Sequence, residues 1–410
     1  MGRYSLIEEL GRGGMGIVYL AHEVARDNRF ARPSLEGRPR DLPAPLPHST
    51  LPLSPRAKEF SMKRSTIGRV VAVFGLALAA GVSAKLESRR DVSQMVDGAT
   101  ALIESLSDEQ RTRGVYAFDD TEERFNFHFV PGEVFERHGV SLKEMNSEQK
   151  ARTHALLGTG LSQSGHMTAM EIIELEGILQ AVEAGSTQFS RDPELYLMSV
   201  FGTPSTDGTW GWRFEGHHLS LHFTIVDGNL TVSAPTFLAT SPATVMDGPR
   251  KGLRPLAAQE DAGRALLASL TPAQREAAII DDVAPTNIVT GVAVEVDPLS
   301  PTGVMASDFS REQRGLLREL ILSYVNVMSE DIAALRLAGV RDGGIDGIGF
   351  AWAGGTEVGT VGYYRVQGPS FLIEFDYTAR DPNHVHSAWR DFDGDFGRDV
   401  LMEHLQQTQH

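Results

Sequence analysis

Two stretches of the chain alternate apolar and polar residues with a period of two. In the first, Leu219, Leu221, Phe223 and Ile225 alternate with Ser220, His222 and Thr224, and Asp227-Gly228 supplies a turn. In the second, Phe371, Ile373 and Phe375 alternate with Ser370, Leu372 and Glu374. Successive side chains of a strand point to opposite faces, so both stretches predict β-hairpins. All four tryptophans, Trp210, Trp212, Trp352 and Trp389, lie in or beside these hairpins and are expected to anchor the core. Other segments carry apolar residues at helical spacing, as in "RGLLRELILSYV" (314–325).

Helix starts are marked by a recurrent pair, an N-cap residue with Gln three positions on: Ser107/Gln110, Asn146/Gln149, Thr271/Gln274 and Ser310/Gln313. In such a capping box the first side chain accepts a free amide of the opening turn while the Gln reaches back to the cap amide. Gln110 to Gln149 and Gln274 to Gln313 both span 39 residues, and each first-half Gln precedes its counterpart by 164. Further on, "WRFEGHHLSLHF" (212–223) aligns with "YRVQGPSFLIEF" (364–375) at an offset of 152, and "DGNLTVS" (227–233) with "DPNHVHS" (381–387) at 154. Matches in this order predict an α+β protein with an internal tandem duplication. Its halves, 85–250 and 251–410, each read as helices followed by a β-hairpin, packed with a pseudo-two-fold relation.

The first 84 residues have a different character. Seven prolines fall between Pro33 and Pro55, which makes an extended linker. Met62 opens "MKRSTIGRVVAVFGLALAAGVSA", with Lys63, Arg64 and Arg69 before an apolar run from Val70 to Ala80 and small residues at 82–84. This is the make-up of a secretory signal peptide over 62–84, and an 11-residue apolar core is short for a membrane span, which needs roughly 20. A signal anchor is the alternative if translation starts at Met1. Export to the periplasm or outside is expected. The 325 residues after Lys85 hold no cysteine, so a core without disulfides must stabilise them. They carry 25 basic and 47 acidic side chains, a formal −22, which excludes nucleic acid and anionic membrane as natural partners. A small-molecule or peptide ligand remains as the expected partner.

Near the start, "IEELGRGGMGIVYLA" resembles the glycine-rich loop of bacterial Ser/Thr protein kinases, over about residues 4–22. Glycines at 11, 13 and 16 would let backbone approach ATP phosphates. No strand lysine and no H-R-D loop follow, and the "DFG" at Asp395–Gly397 has no catalytic loop before it. Residues 1–61 are therefore read as a kinase-like fragment and linker without a kinase fold. From about residue 90 onward, "GTPSTDGTWGWRFEGHHLSLHFTIVDG", "GPRKGLRPLAAQED", "YYRVQGPSFLIEFDYT" and "NHVHSAWRDFDGDFG" resemble a bacterial family catalogued as domain of unknown function 3500. The resemblance implies kinship and an exported protein, but no activity. It also implies Asn at the place of His222, which sets that histidine aside as a ligand.

Five of the 13 histidines fall in two windows: His217, His218 and His222, then His384 and His386. Histidine is the commonest transition-metal ligand, and an i,i+2 pair on one strand aims two imidazoles the same way. With even-length turns, His217, His384 and His386 share the face of Leu219 and Leu221 and form an open metal site, with His218 beside them. With a three-residue turn at Ala379–Asp381, His384 faces Asp376 and His386 faces Glu374 instead. The expected cofactor is zinc, copper or iron. Glu215 or Glu374 is the candidate base and Arg390 a further site residue. A polar seam of hydrogen-bonded histidines is the non-metal alternative.

In "WRDFDGDFG" the alternating aspartates lack the Gly and Glu that a calcium loop requires, so Arg390 is expected to pair with a nearby carboxylate. Asp119-Asp120 and Asp281-Asp282 are read as solvated turns. There is no G-x-S-x-G elbow and no H-E-x-x-H helix. The expectation is a metal-dependent enzyme, hydrolytic or oxidative, with a non-catalytic extracytoplasmic binding protein as the alternative.

Overall fold

In the computed structural model, which describes residues 4–13, 16–23, 92–183, 188–378, 381–392 and 394–398, all four capping boxes form. Strands β1 (Tyr4–Gly13) and β2 (Gly16–Glu23) pair antiparallel, with Gly13 opposite Gly16. They fall in one unit, Met1–Ser65, and everything below concerns the other, Thr66–His410. The signal-like segment 62–84 and the chain beyond 398 lie outside the described residues.

The larger unit opens with helix α1 (92–105), α2 (Asp108–Gly114), strand β3 (Val115–Tyr116), the short α3 (Thr121–Arg124), β4 (Val140–Ser141), α4 (Ser147–Gly160) and α5 (Gln163–Val182). Five strands follow: β5 (Leu197–Phe201), β6 (Trp210–Glu215), β7 (Leu219–Val226), β8 (Asn229–Val232) and β9 (Thr236–Thr240). A second run has α6 (Ala257–Ser269), α7 (Pro272–Ala278), β10 (Ile279–Asp281), β11 (Val304–Met305), α8 (Arg311–Val325) and α9 (Glu330–Asp342). It ends on β12 (Gly349–Gly354), β13 (Gly362–Gln367), β14 (Phe371–Tyr377) and β15 (Val385–Asp391). Helices and sheet together make an α+β fold.

The paired glutamines show why their 39-residue spacing matters. Gln110 and Gln149 bond each other side chain to side chain, and Gln149 also donates to the Ser105 carbonyl at 2.8 Å. Gln274 and Gln313 repeat the arrangement, with Gln313 donating to the Ser269 carbonyl at 2.9 Å. Each Gln therefore closes its own helix start and ties it to the next helix, leaving its amide satisfied where it is buried.

The strands do not pack as two separate hairpins. They join edge to edge in one 13-stranded sheet with the main order β10-β12-β13-β14-β15-β9-β7-β6-β5-β3. The joint is β9, which pairs with β7 on one edge and β15 on the other. One sheet face carries Trp212, Phe214, Leu219, Leu221, Phe223, Tyr364, Ile373, Phe375 and Trp389 into the main core, against Leu156, Leu157, Ile172, Leu266, Leu317 and Leu320 of the helices. The tryptophans are core anchors, as expected; all four are at most 2% exposed.

The opposite face holds the polar members of the alternation, yet it is not solvated. Every residue of β6, β7, β13 and β14 is buried. Two irregular segments, residues 117–139 and 282–303, lie over this face and place Phe127, Phe129 and Ile288 against Phe237, Ala239 and Ala388. Side chains of the sheet supply the hydrogen bonds that irregular backbone lacks. Arg213 donates to the carbonyls of Glu123 and Asn126 at 2.7 and 2.9 Å. Gln367 bonds both the N–H and the C=O of Leu299, and Arg365 donates to the Pro301 carbonyl.

Substituting Gln149 by Ala removes the cap acceptor and leaves Gln110 without its buried partner. A loss of about 1–3 kcal/mol is expected in urea unfolding, and the double variant Gln110→Ala/Gln149→Ala should cost less than the sum of the single losses.

Candidate metal centre

The site forms at the β7–β9–β15 joint. Gly216 to Leu219 closes the β6–β7 turn through the Gly216 N–H and the Leu219 carbonyl at 2.8 Å. A Cβ at Gly216 would lie 2.5 Å from the Tyr196 ring, so glycine is required there. His217 and His218 occupy the middle of this turn, where strand parity no longer applies. The Ala239 N–H then donates to the His218 carbonyl at 2.8 Å, and on the other edge of β9 Ala239 stands opposite His386. One residue of β9 thus fixes His218 beside His386. His384 sits in the turn before β15, and its neighbour Asn383 bonds the backbone of Thr244 from both ends of its amide, at 2.8 and 3.1 Å.

These placements bring three Nε2 atoms together. His384 Nε2 lies 3.2 Å from His218 Nε2 and 3.0 Å from His386 Nε2. The other nitrogens face outward to acceptors: His386 Nδ1 is 2.8 Å from Asn287 Oδ1 and 3.4 Å from Asp376 Oδ1, and His218 Nδ1 is 3.3 Å from Glu176 Oε1. An Nδ1–H of His386 directed at Asn287 Oδ1 leaves the lone pair of that ring on Nε2. Burial, reinforced by the neighbouring His217, pushes His218 down to about 3. Burial, followed by His218 and His386, holds His384 well below the usual histidine range. His218 and His384 are therefore neutral, and the Nε2 atoms of all three rings face one another.

Converging lone pairs repel unless a proton or cation lies between them. Metal–nitrogen bonds of 2.0–2.1 Å imply nitrogen–nitrogen edges of roughly 3.0–3.4 Å for octahedral to tetrahedral geometry, and the observed 3.0 and 3.2 Å fit that range. The charge balance agrees. Asp376 is fully buried and neither carboxylate oxygen has a hydrogen-bond partner. A cation on His386 would compensate it, which a neutral seam of histidines does not do. Burial alone would raise Glu176, but its hydrogen bonds from His217 and His218 outweigh that and hold it well below the usual carboxylate range.

The structure gathers His218, His384 and His386 and leaves His217 one step out. His217 stacks on His218 with ring centroids 3.7 Å apart, and its Nδ1 lies between Glu176 Oε1 at 3.2 Å and Arg191 Nη1 at 3.0 Å. A guanidinium so close disfavours a second cation at that nitrogen. His222 lies apart, with Nε2 2.9 Å from Ser220 Oγ.

The anticipated turn parities need correction. The β14–β15 register puts His386 opposite Asp376 and Ala388 opposite Glu374. The turn is odd but longer than three residues, so His386 slides by two from Glu374 to Asp376. The candidate base Glu374 accepts from Val289 N–H at 2.6 Å, Thr290 N–H at 3.2 Å, the Thr290 hydroxyl and the Tyr363 hydroxyl at 2.9 Å. Glu215 is buried between Arg213 and Arg137, at 2.8 and 3.7 Å, and burial pushes it up. Arg390 pairs with Asp395, the carboxylate partner expected for it, and donates to the Ala293 carbonyl. All three hold the covering segments or the chain end to the sheet, and none lines the cleft beside the histidines.

Glu176 escaped the reading of the sequence, although it interrupts an apolar stripe with Ile172 and Leu179 on α5, a detectable signal of a buried acid. Asn287, from an irregular segment, gave no signal.

The fold and site define a class, an α+β protein with a three-histidine centre at a sheet joint. Residues 88–398 match the profile of the family described as "Protein of unknown function (DUF3500)", and the chain belongs to that family. No curated protein and no solved structure is detectably similar to it.

Glu176→Gln keeps the shape of the side chain but removes its charge from His218. Metal affinity, read by competition with a chromogenic chelator, should fall about 10-fold or more, as for outer-shell partners generally. Asn287→Ala should act alike through His386.

Proposed function

We propose that the protein is a metal-dependent enzyme whose centre holds one divalent transition metal, zinc, copper or iron, on Nε2 of His218, His384 and His386. The observation that carries this is the convergence of three imidazole Nε2 atoms, with the fully buried Asp376 carboxylate beside His386. A three-histidine centre keeps a coordination position open and supplies a Lewis acid that activates water or, with copper or iron, redox chemistry. Hydrolysis is the preferred reading because the donor set is all imidazole, as in zinc sites that polarise carbonyls. Water adds to an acyl carbon, the bond to the leaving oxygen or nitrogen breaks, and the leaving atom takes the proton. Within that scheme Glu176 and Asn287 orient the ligands, Arg191 steadies His217, and the covering segments restrict water.

A second reading, an extracytoplasmic protein that binds metal or a ligand without chemistry, is favoured by one observation. Glu215, Glu374 and Arg390 are committed to structural bonds, which leaves none of the anticipated acid–base groups at the histidines.

Three wider features belong to this reading. The signal-like composition of 62–84 supports export to the periplasm or outside, and the absence of cysteine is compatible with it. The like order of strands on either side of the joint, and the two glutamine pairs, support an internal duplication. The kinase-like glycines at 11, 13 and 16 have no catalytic lysine or loop, so no phosphoryl transfer is proposed.

Elemental analysis of the untagged full chain should find close to one zinc, copper or iron per molecule. The His384→Ala/His386→Ala variant should retain less than a tenth of that with an unchanged circular dichroism spectrum. No metal in either folded sample would sink the metal reading. N-terminal sequencing of protein recovered from outside the cytoplasm should begin at or near Lys85; retention of the whole pool in the cytoplasm with its N-terminus intact would refute export.

A further inference from the structure

Beside the histidines lies a cleft of about 850 Å³, within the size range of small-molecule sites. His384 and His386 form part of its wall, so the open side of the proposed centre faces it. Much of the remainder is apolar: Phe129, Val130 and Val134 come from one covering segment, Leu179 and Val182 from the end of α5, and Phe189 from the chain beyond. Val134 is 62% exposed and Val182 72%, which puts apolar side chains at the mouth as well as the walls.

The one guanidinium in the described lining is already paired. Arg191 is the one Lys or Arg among the described lining residues; its Nε and Nη2 donate to the two oxygens of Glu183, at 3.0 and 3.1 Å, and its Nη1 lies 3.0 Å from His217 Nδ1. Asp381, at the rim, accepts from the Asn383 N–H at 2.8 Å. Apart from the proposed metal, no unpaired cation remains among the described lining residues to receive a carboxylate or phosphate, and the chain's formal charge of −16 opposes anions further. Glu183 also offers little to a cationic ligand, because Arg191 neutralises it.

We propose that this cleft selects uncharged acyl compounds with an apolar arm, the carbonyl end directed to the three-histidine centre and the arm lying along Val130, Val134, Leu179, Val182 and Phe189. The proposal rests on the metal reading for the carbonyl end, while the apolar arm stands on the cleft itself. Linear chains suit it because apolar surface continues from beside the histidines to the mouth.

The test uses the full chain loaded with cobalt, whose visible band reports ligands entering the open position. Aceto-, butyro-, hexano- and octanohydroxamate carry the same metal-binding head with a lengthening neutral tail. The dissociation constant should tighten about threefold per added methylene, below the limit set by full burial. Val134→Asp/Val182→Asp, which alters only exposed positions, should leave acetohydroxamate within twofold and weaken octanohydroxamate at least tenfold. A flat series, or tighter binding of a carboxylate-tailed hydroxamate of equal length, would overturn the proposal while leaving the metal reading intact. If the protein takes up no cobalt, calorimetry with acetamide and octanamide decides the same point. Tail-dependent binding of octanamide would then keep the apolar cleft and discard the metal, and binding of neither would discard both.

Discussion

Because β9 is hydrogen-bonded along both edges, to β7 through Leu219↔Leu238 and to β15 through Ser387↔Leu238, two groups of strands become one sheet. The same residues on β9 that join the groups also set the distance between the β6–β7 turn and β15. The backbone of Ala239 touches His218 on one side and stands opposite His386 on the other. A slip of one residue in either ladder would turn His386 to the helical face and away from His218. The site is therefore a by-product of register: the central strand β9 positions His386 directly and the turns that carry His218 and His384 at its two edges.

That dependence explains the polar sheet face. A face made of Arg213, Glu215, Arg365, Gln367, Glu374 and Arg390 would be expected to meet water, yet each of these is buried or nearly so. The covering segments have little regular structure, so their amides and carbonyls need partners, and the sheet's long polar side chains provide them. Each side then satisfies the other. Phe129 and Asn287, one from each segment, reach the histidines only because these polar anchors hold the segments down.

The parts legible in the sequence were those governed by local rules. The four capping boxes depend on residues three apart, and the strand alternation on residues two apart, so both appeared where expected. Of the five histidines in the two windows, His218, His384 and His386 meet. What failed was anything that depended on turn length. Parity was carried through Gly216–His218 as if it were strand, which favoured His217 over His218. Alternation alone suggests an even or three-residue β14–β15 turn, whereas the register places His386 opposite Asp376. The edge-to-edge joining of β9 to β15 had no local signature at all, because strand pairing across such a distance in sequence is decided by the packed molecule. For the same reason Glu215 and Glu374 resembled catalytic acids; Val289 and Thr290, which hold Glu374, lie 85 and 84 residues away in one irregular segment, and Arg137, which reaches Glu215, lies in the other.

His218 and His384 are 166 residues apart in sequence and 3.2 Å apart at their Nε2 atoms. A cation shared by them closes a loop of that length, and the entropic cost of closure is borne by the folded ladder before the ion arrives. Such an ion has no comparable site in the unfolded chain, so it stabilises the native state in proportion to the logarithm of its free concentration. Persistence of the fold would then track metal supply in the surroundings. In scarce conditions the joint at β9 would rely on backbone pairing alone, with Asp376 buried beside it and uncompensated, and that strand would become the place where the molecule first comes apart.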